Sequence, residues 1–430
     1  MGVTTIAVIL LLGSFFLLMF LRVPIALSIG ISSILTSLYL EIPLEMVIQN
    51  IVAGVNSYSL IAIPFFILMG NIMSKGGIAN RLIGLANAIV GWLRGGMAMV
   101  TCVASMLFGT VSGSSTACTA TLGPIMIPTM EKQSYDKTFA TSITMASSVT
   151  GLLIPPSHNL VIYAMAAGGV SVGELFVGGI VPGILLGISL MIYSYYIARK
   201  YKYPVGDKFI AKRVGEAFLD ALWGLFTVVI VVIGVVTGII TATESAAIAT
   251  LWALFVSIFI YKEMTWKDLG EVLKSSSRTL AMIMLLIGTS SAFGWLLAYL
   301  KVPQLITSGI FNISTNPIIV LLIVNILLLI LGALMDMSPI ILIATPILLP
   351  IVTSIGMTPV QFGILLILNL GIGLLTPPVG ATLFVGSAVS EIRLEKLAKS
   401  LIPIYGIMVL VTLLVTFVPA ISLTLPSIIK

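Results

Sequence analysis

Charge, histidine and cysteine are all scarce in this chain of 430 residues. Only 8% of the residues are charged while 59% are hydrophobic, whereas soluble domains carry about 25% charge and about 45–50% apolar residues. This composition excludes a soluble globule and implies an integral membrane protein, with far more apolar runs than one anchor needs. The single histidine, His158, excludes a multi-histidine metal site, and the two cysteines, Cys102 and Cys118, exclude a disulfide framework. A redox or zinc enzyme is thereby disfavoured. The net charge of +6 comes from Lys and Arg dispersed in short clusters between apolar runs, so nucleic acid is not implied as a partner. The first apolar run lacks a positive leader and passes straight into Arg22 and a second run, so no cleaved signal is expected and Met1 should lie at or near the mature N-terminus.

What the chain has instead is long apolar runs. A hydrocarbon core of about 30 Å takes about 20 helical residues, and ten crossings are expected, at 4–21, 24–40, 58–74, 138–170, 176–198, 217–239, 246–261, 279–299, 359–390 and 402–425. Two of them, 138–170 and 359–390, are too long for one straight helix. Each is interrupted, by Gly151-Leu-Leu-Ile-Pro155-Pro156 and by Gly373-Leu-Leu-Thr376-Pro377-Pro378. Proline removes an amide donor and clashes with the preceding turn, so both helices should break within the membrane. Two further stretches, 97–130 and 317–355, carry small or polar residues at their centres, Gly109-Thr-Val-Ser-Gly-Ser-Ser-Thr116 and Gly332-Ala-Leu-Met-Asp-Met-Ser-Pro339. They are expected to be re-entrant hairpins with polar tips near the midplane.

The positive-inside rule sets the orientation. With both termini outside and hairpins that do not change sides, 19 basic residues fall inside and two, Lys301 and Lys430, outside. A full crossing at 97–130 would turn the basic loop 200–213 outward. The chain also repeats itself: Pro124-Ile-Met-Ile-Pro128 matches Pro346-Ile-Leu-Leu-Pro350, and the two Gly-Leu-Leu-x-Pro-Pro breaks match, both at an offset of 222 residues. The expected units are 1–213 and 214–430. In this orientation they are inverted relative to each other, which with discontinuous helices is the signature of a secondary transporter. A broken helix frees backbone groups that hydrocarbon cannot satisfy; half-helix N-termini favour anions, and freed carbonyls and hydroxyls suit a hard cation.

Several residues carry both a functional and a plainer reading. The tip Ser112-Gly-Ser-Ser-Thr116 suits an ion site, or a small-residue packing seam. Asp336 is the one acid that this topology leaves deep in the apolar core, a functional-site hypothesis by default. Ser157 and Asn159 supply polar groups to the substrate or to a neighbouring helix, and His158 is a proton carrier or a hydrogen-bonded structural residue. Glu244 is expected to cap the helix that follows it. The segment Lys262 to Arg278, with seven charges, should lie on the inner leaflet as an interfacial helix, with 44–56 in the matching place of the first half.

Taken together, Ser112-Gly-Ser-Ser-Thr-Ala117, Leu334-Met-Asp-Met-Ser-Pro339, the two Leu-Leu-x-Pro-Pro breaks and Thr243-Glu-Ser-Ala-Ala247 resemble the large permease (M) subunit of tripartite ATP-independent periplasmic (TRAP) transporters, over essentially the whole chain. The resemblance implies an all-α polytopic fold of the ion-transporter superfamily, an elevator mechanism, sodium as coupling ion, no cofactor and no catalysis. It further implies a small four-helix membrane partner (Q), a periplasmic binding protein (P), an organic anion as substrate and a bacterial inner membrane. Carried over by position, one sodium site lies between Ser112, Gly113, Ser114, Ser115 and the break Gly151 to Pro155. The other lies between Gly332, Asp336, Ser338 and the break Gly373, Thr376, Pro377. Thr116, Ser157, Asn159, Gly380 and Thr382 are expected to meet the substrate. At the tips the related stand-alone dicarboxylate carriers have Ser-Asn-Thr, which this chain lacks. Overall similarity leans toward the sialic-acid branch, over C4-dicarboxylates. A self-sufficient sodium-coupled anion carrier of the same superfamily is the alternative.

Overall fold

The computed structural model describes residues 3–206 and 208–429. Met1 and Lys430, and with them the expected mature start and outer-face lysine, lie outside the described residues. Among those, the chain is helical throughout, and the one β-type pairing is an isolated bridge between Arg94 and Val205.

The first half runs α1 (Val3–Phe20), α2 (Ile25–Tyr39), α3 (Leu44–Val55), a 3-10 turn (Tyr58–Ile61), α4 (Ala62–Lys75) and α5 (Ile78–Val90). The first hairpin is α6 (Gly96–Ser112) and α7 (Ser115–Lys132); the first broken helix is α8 (Lys137–Ser148), α9 (Thr150–Leu153) and, past the prolines, α10 (His158–Ala166). Then come α11 (Val172–Lys200), α12 (Ala211–Val236) and α13 (Ala242–Phe255), which a π-helical turn, Val256–Ile260, extends. α14 (Trp266–Tyr299) and α15 (Val302–Ile313) precede the second hairpin, α16 (Pro317–Leu334) and α17 (Met337–Ser354). The second broken helix is α18 (Pro359–Gly373) and α19 (Ala381–Ser390), followed by α20 (Leu394–Phe417) and α21 (Ala420–Ile429). Among the described residues, eight helices could cross a membrane by length and composition, or ten when each bent pair counts as one span. The outer faces carry bare apolar side chains, such as Leu17, Ile192, Leu251 and Ile326, a surface that suits lipid and not water.

Polar contacts gather the helix ends into two faces. Lys75 pairs with Asp268 and Glu271, and Arg81 with Asp220 and Glu263. Nearby, the segment after α11 straps the base of the first hairpin. The Gly95 amide donates to the Pro204 carbonyl (3.2 Å), the Asp136 amide donates to the Tyr203 hydroxyl (3.2 Å), and Tyr135 packs on Tyr203. Both legs of that hairpin therefore start and end at one end of the molecule, the basic end. The second hairpin opens at the other: Asn325 on α16 and Gln361 at the start of α18 both bond to the last turns of α20.

At the centre lie the broken helices. Every residue of Val360–Gly373 is buried, as is nearly all of α8. α8 is rich in hydroxyls, and Thr141, Thr144 and Thr150 bond back to carbonyls of their own helical stretch, which makes their burial tolerable.

Two expectations need correction. Residues 262–278 are not a separate interfacial helix: α14 runs unbroken for 34 residues from Trp266, started by a Thr265/Asp268 capping box, because charged residues are good helix formers and nothing between 266 and 299 breaks the ladder. In the first half the matching segment is a helix of its own, α3, cut from α4 at Asn56–Ser57. The last crossing runs 394–417 and not 402–425; it ends before Pro419, and α21 turns back against α11. The amphipathic helices α5 and α15 were not expected: α5 carries Asn80, Arg81 and Asn87, and both, at 13 and 12 residues, are shorter than a crossing. Glu244 does cap α13, in a box with Thr241.

Candidate functional site

At the first tip, α6 stops because Gly113 adopts a left-handed conformation (φ 57°), and Ser114 then caps α7, its hydroxyl accepting from the Ala117 amide. A side chain at Gly113 would be blocked as well as strained, since a Cβ there would lie 2.9 Å from His158 Nδ1 and 3.4 Å from Ser157 Cα. The break thus packs directly on the tip, and Asn159 Nδ2 donates to the Gly113 carbonyl at 3.0 Å. Behind the tip lies a buried hydroxyl cluster. Ser115 Oγ is 2.5 Å from Ser148 Oγ, Thr119 donates to Ser148 at 3.1 Å, and Thr382 donates to Ser115 at 3.0 Å. Ser157 Oγ is buried without a hydrogen-bond partner.

At the second tip, Met335 and Asp336 are extended and Asp336 caps α17, its Oδ1 accepting from the Met337 amide at 2.9 Å. Asp336 is not enclosed in the apolar core as expected; it is exposed to a cavity. The second break is knitted more fully than the first. The Val379 amide donates to the Ala333 carbonyl, the Thr382 and Leu383 amides to Leu374, the Gly380 amide to Thr376, and the Tyr405 hydroxyl to the Leu375 carbonyl (2.6 Å).

Glycine sets how closely each hairpin approaches its broken helix. Cβ atoms built on Gly109 and Gly151 would lie 2.5 and 2.2 Å from each other's Cα, and one on Gly373 would lie 2.4 Å from the Gly332 backbone. The far halves of the broken helices cross over: α19 packs along α7 of the first hairpin and α10 along α17 of the second. Thr382, from the second half, is brought in this way to Ser115 in the first.

Both tips reach one cavity of about 940 Å³. Ser112, Ser114, Ser115 and Thr116 line it from the first tip, Asp336 and Ser338 from the second, and His158 and Asn159 from the first break. The opposite wall comes from α2, α4 and α14, through residues such as Ile25, Asn71, Ser74 and Thr279. Ser74 meets Thr121 of the hairpin at 2.9 Å, and Asn71 donates to Ser276 at 2.8 Å. The cavity reaches the basic end, because Pro24, Ser74 and Thr279 lie within two residues of Arg22, Lys75 and Arg278. Gly113, Gly151, Pro155, Ser157, Gly332, Gly373, Thr376, Pro377, Gly380 and Thr382 do not line it. Of these, Gly151, Gly332 and Gly373 are helix-crossing residues, and Thr382 supports Ser115 from behind. The wall residues Asn71, Ser74, Thr121 and Thr279 were missed by sequence reasoning; Asn71 stands alone in an apolar run, while Ser74 and Thr279 sit beside the charged residues Lys75 and Arg278 and carry no signal of their own. Among the described residues no group of three or more His, Cys, Asp or Glu is placed to hold a metal.

Residues 12–421 match the family model described as tripartite ATP-independent periplasmic transporter, DctM component. The chain is 39% identical to the isethionate TRAP transporter permease protein DctMQ of Oleidesulfovibrio alaskensis, over 96% of this chain and 65% of that protein. It is 37% identical to the C4-dicarboxylate TRAP transporter large permease protein DctM of Rhodobacter capsulatus, over 97% and 98% of the two chains. With the sialic acid TRAP transporter large permease protein SiaM of Vibrio cholerae it shares 36% identity, over 88% of each. Two solved transporters share the fold at low identity: YdaH of Alcanivorax borkumensis (TM-score 0.55, 14% identity, 82% and 85% of the chains) and MtrF of Neisseria gonorrhoeae (0.59, 11%, 87% and 83%).

Proposed function

The chain belongs to the DctM family of TRAP transporter components, membrane permeases and not enzymes, and from that premise we propose that it couples inward sodium movement to import of a small organic anion. The observation that carries the reading is the single cavity to which both hairpin tips contribute. By the positive-inside rule the basic end is cytoplasmic and the termini periplasmic, so the cavity is the inward-open state of the carrier. The units 1–213 and 214–430 are inverted repeats. The hairpins and broken helices move together as the elevator, against a frame of α1 to α4 and α12 to α14.

Sodium lies at the tips. Beside the first, the hydroxyls of Ser112, Ser114 and Ser115 form the donor set, and the buried, unpartnered Ser157 hydroxyl supports an ion there. Beside the second, Asp336 and Ser338 are the donors. The carbonyls of Leu374, Leu375 and Thr376 already accept hydrogen bonds, so the second site draws on the tip more than on the break. Each sodium entering down about 100 mV releases about 2.3 kcal/mol. A small Q-type membrane subunit and a periplasmic binding protein complete the system, and the anion is of the sialic-acid or C4-dicarboxylate class.

Reconstitution tests this. Proteoliposomes holding the permease, its small membrane subunit and its binding protein should take up substrate in sodium and stop when potassium or choline replaces it. Undiminished uptake in choline defeats sodium coupling. Uptake by this chain alone, without either partner, makes it a self-sufficient carrier instead.

A further inference from the structure

A second cavity, of about 1320 Å³, lies at the basic end and shares no residue with the first. Its walls are α5, α12, the base of the first hairpin and the strap after α11. α5 turns 70° from α4. Arg81 in its first turn pairs with Asp220 and Glu263, and Gly95, just past its end, bonds to Pro204, so α5 begins and ends at the basic end and runs along the membrane surface. One side of it, through Leu82, Leu85 and Ala86, is buried in the protein, and the other gives Asn80, Gly84 and Asn87 to the cavity. The strap is held in place. Val205 bridges to Arg94, Phe209 meets Trp92 edge-on at 5.8 Å, and Gly206 passes so close to Gly91 that a Cβ there would lie 1.9 Å from the Gly91 carbonyl oxygen.

We propose that this cavity binds the headgroup of an anionic phospholipid, with Lys202 and Lys208 on its phosphate and the acyl chains running out over α12. The proposal is independent of the coupling ion and of the transported substrate. Lys202 and Lys208 line the cavity, are exposed, and form no ion pair among the described residues. The two acids in the lining have cations of their own: Asp220 pairs with Arg81 at 3.2 Å and Glu216 with Lys212 at 3.8 Å. In the stretch 200–213, five basic residues stand against one acid, Asp207. The positive charge left over suits phosphate oxygens, which accept from ammonium donors. The walls suit a lipid better than a soluble phosphate. At helical spacings of three and four residues beyond Glu216, Leu219, Trp223 and Phe226 carry bare apolar surface along α12 toward the bilayer, and basic pockets between membrane helices at the cytoplasmic face hold acidic headgroups.

The permease with its small membrane subunit, stripped of lipid in detergent, can be titrated with phosphatidylglycerol and phosphatidylcholine of the same acyl chains, bound lipid being counted by native mass spectrometry. The Kd for phosphatidylglycerol should be about tenfold below that for phosphatidylcholine. Lys202→Gln together with Lys208→Gln should bring the two within about threefold. Removing two charges elsewhere at the basic end, Lys200→Gln with Lys267→Gln, should leave the ratio unchanged, because neither lysine lines the cavity. Gly84→Leu tests the space without altering a charge: a Cβ at Gly84 meets nothing within 4 Å, so the leucine fills the cavity and should raise the phosphatidylglycerol Kd about fivefold. Equal binding of the two lipids overturns the proposal, as does a preference that survives the loss of Lys202 and Lys208. A preference that falls as far in the Lys200 and Lys267 variant assigns it to surface charge at large, and unchanged binding by Gly84→Leu puts the lipid elsewhere; either result overturns the site. Displacement of bound phosphatidylglycerol by equimolar glycerol phosphate makes the cavity a soluble-anion site and overturns the lipid as its occupant.

Discussion

Around Gly113 the first hairpin offers the cavity a row of hydroxyls; around Asp336 the second offers a carboxylate and one serine. The scaffolding of the two regions is nearly the same. The prolines of the breaks recur at an offset of 222 residues, Pro155 to Pro377, and each hairpin meets its broken helix through glycines. The buried helices behind the tips differ: α8 is rich in Ser and Thr where α18 is almost wholly aliphatic. Backbone-to-backbone approach tolerates no side chain, so the crossing glycines are fixed by geometry, while the tips are free to take on different chemistry.

The comparison depends first on the hairpins opening to opposite faces of the membrane. Reporter fusions after Lys208 and after Ile313 should give opposite signals, and equal signals would remove the inverted arrangement altogether. Next in size are the glycine crossings. Gly109→Ala puts a Cβ 2.5 Å from the Gly151 Cα, whereas in Gly332→Ala the nearest atom, the Gly373 Cα, is 3.1 Å away. The first should lower unfolding stability by about 3 kcal/mol and the second by about 1 kcal/mol, measured as chemical denaturation in detergent. Equal losses would mean that the crossings are equally tight.

A smaller effect separates the tips chemically. Asp336→Asn keeps the shape and an oxygen but loses the charge, and should raise the sodium concentration for half-maximal uptake about tenfold, about 1.4 kcal/mol. Ser114→Ala at the first tip should raise it less. Normal transport by Asp336→Asn with unchanged sodium dependence makes the carboxylate structural. The smallest effect concerns the breaks. Tyr405 donates to the Leu375 carbonyl, and the residue 222 positions earlier is Gly183, against which Ile154 packs. Tyr405→Phe should cost about 1 kcal/mol of stability; no loss would mean that this carbonyl finds another donor.

The hairpins and breaks were legible in the sequence because Pro-Pro pairs and clusters of small polar residues stand out inside apolar runs. The tip residues Ser112 to Thr116, Asp336 and Ser338 were found for the same reason. Other features left no such mark. In α5, Asn80, Arg81 and Asn87 interrupt the apolar positions, so the helix is amphipathic and no apolar run forms. Thr382 meets Ser115 across 267 residues, a contact produced by the crossing of α19 over α7 that no local pattern encodes. The prolines fixed where α9 and α18 stop, but not that hydrogen bonds would already occupy the carbonyls of the second break. Hydropathy ended α14 at its first charge, although helix geometry continues through it.

That last helix has a mechanical consequence. At about 1.5 Å per residue, the 34 residues of α14 make a rod about 51 Å long, against a hydrocarbon core of about 30 Å. One wall of the frame is therefore a stiff beam anchored at its charged end by Lys75, while the wall built from α3 and α4 is jointed at Asn56–Ser57. Under load such a frame keeps its height along the beam and yields at the joint, so changes in bilayer thickness are absorbed on one side of the carrier only.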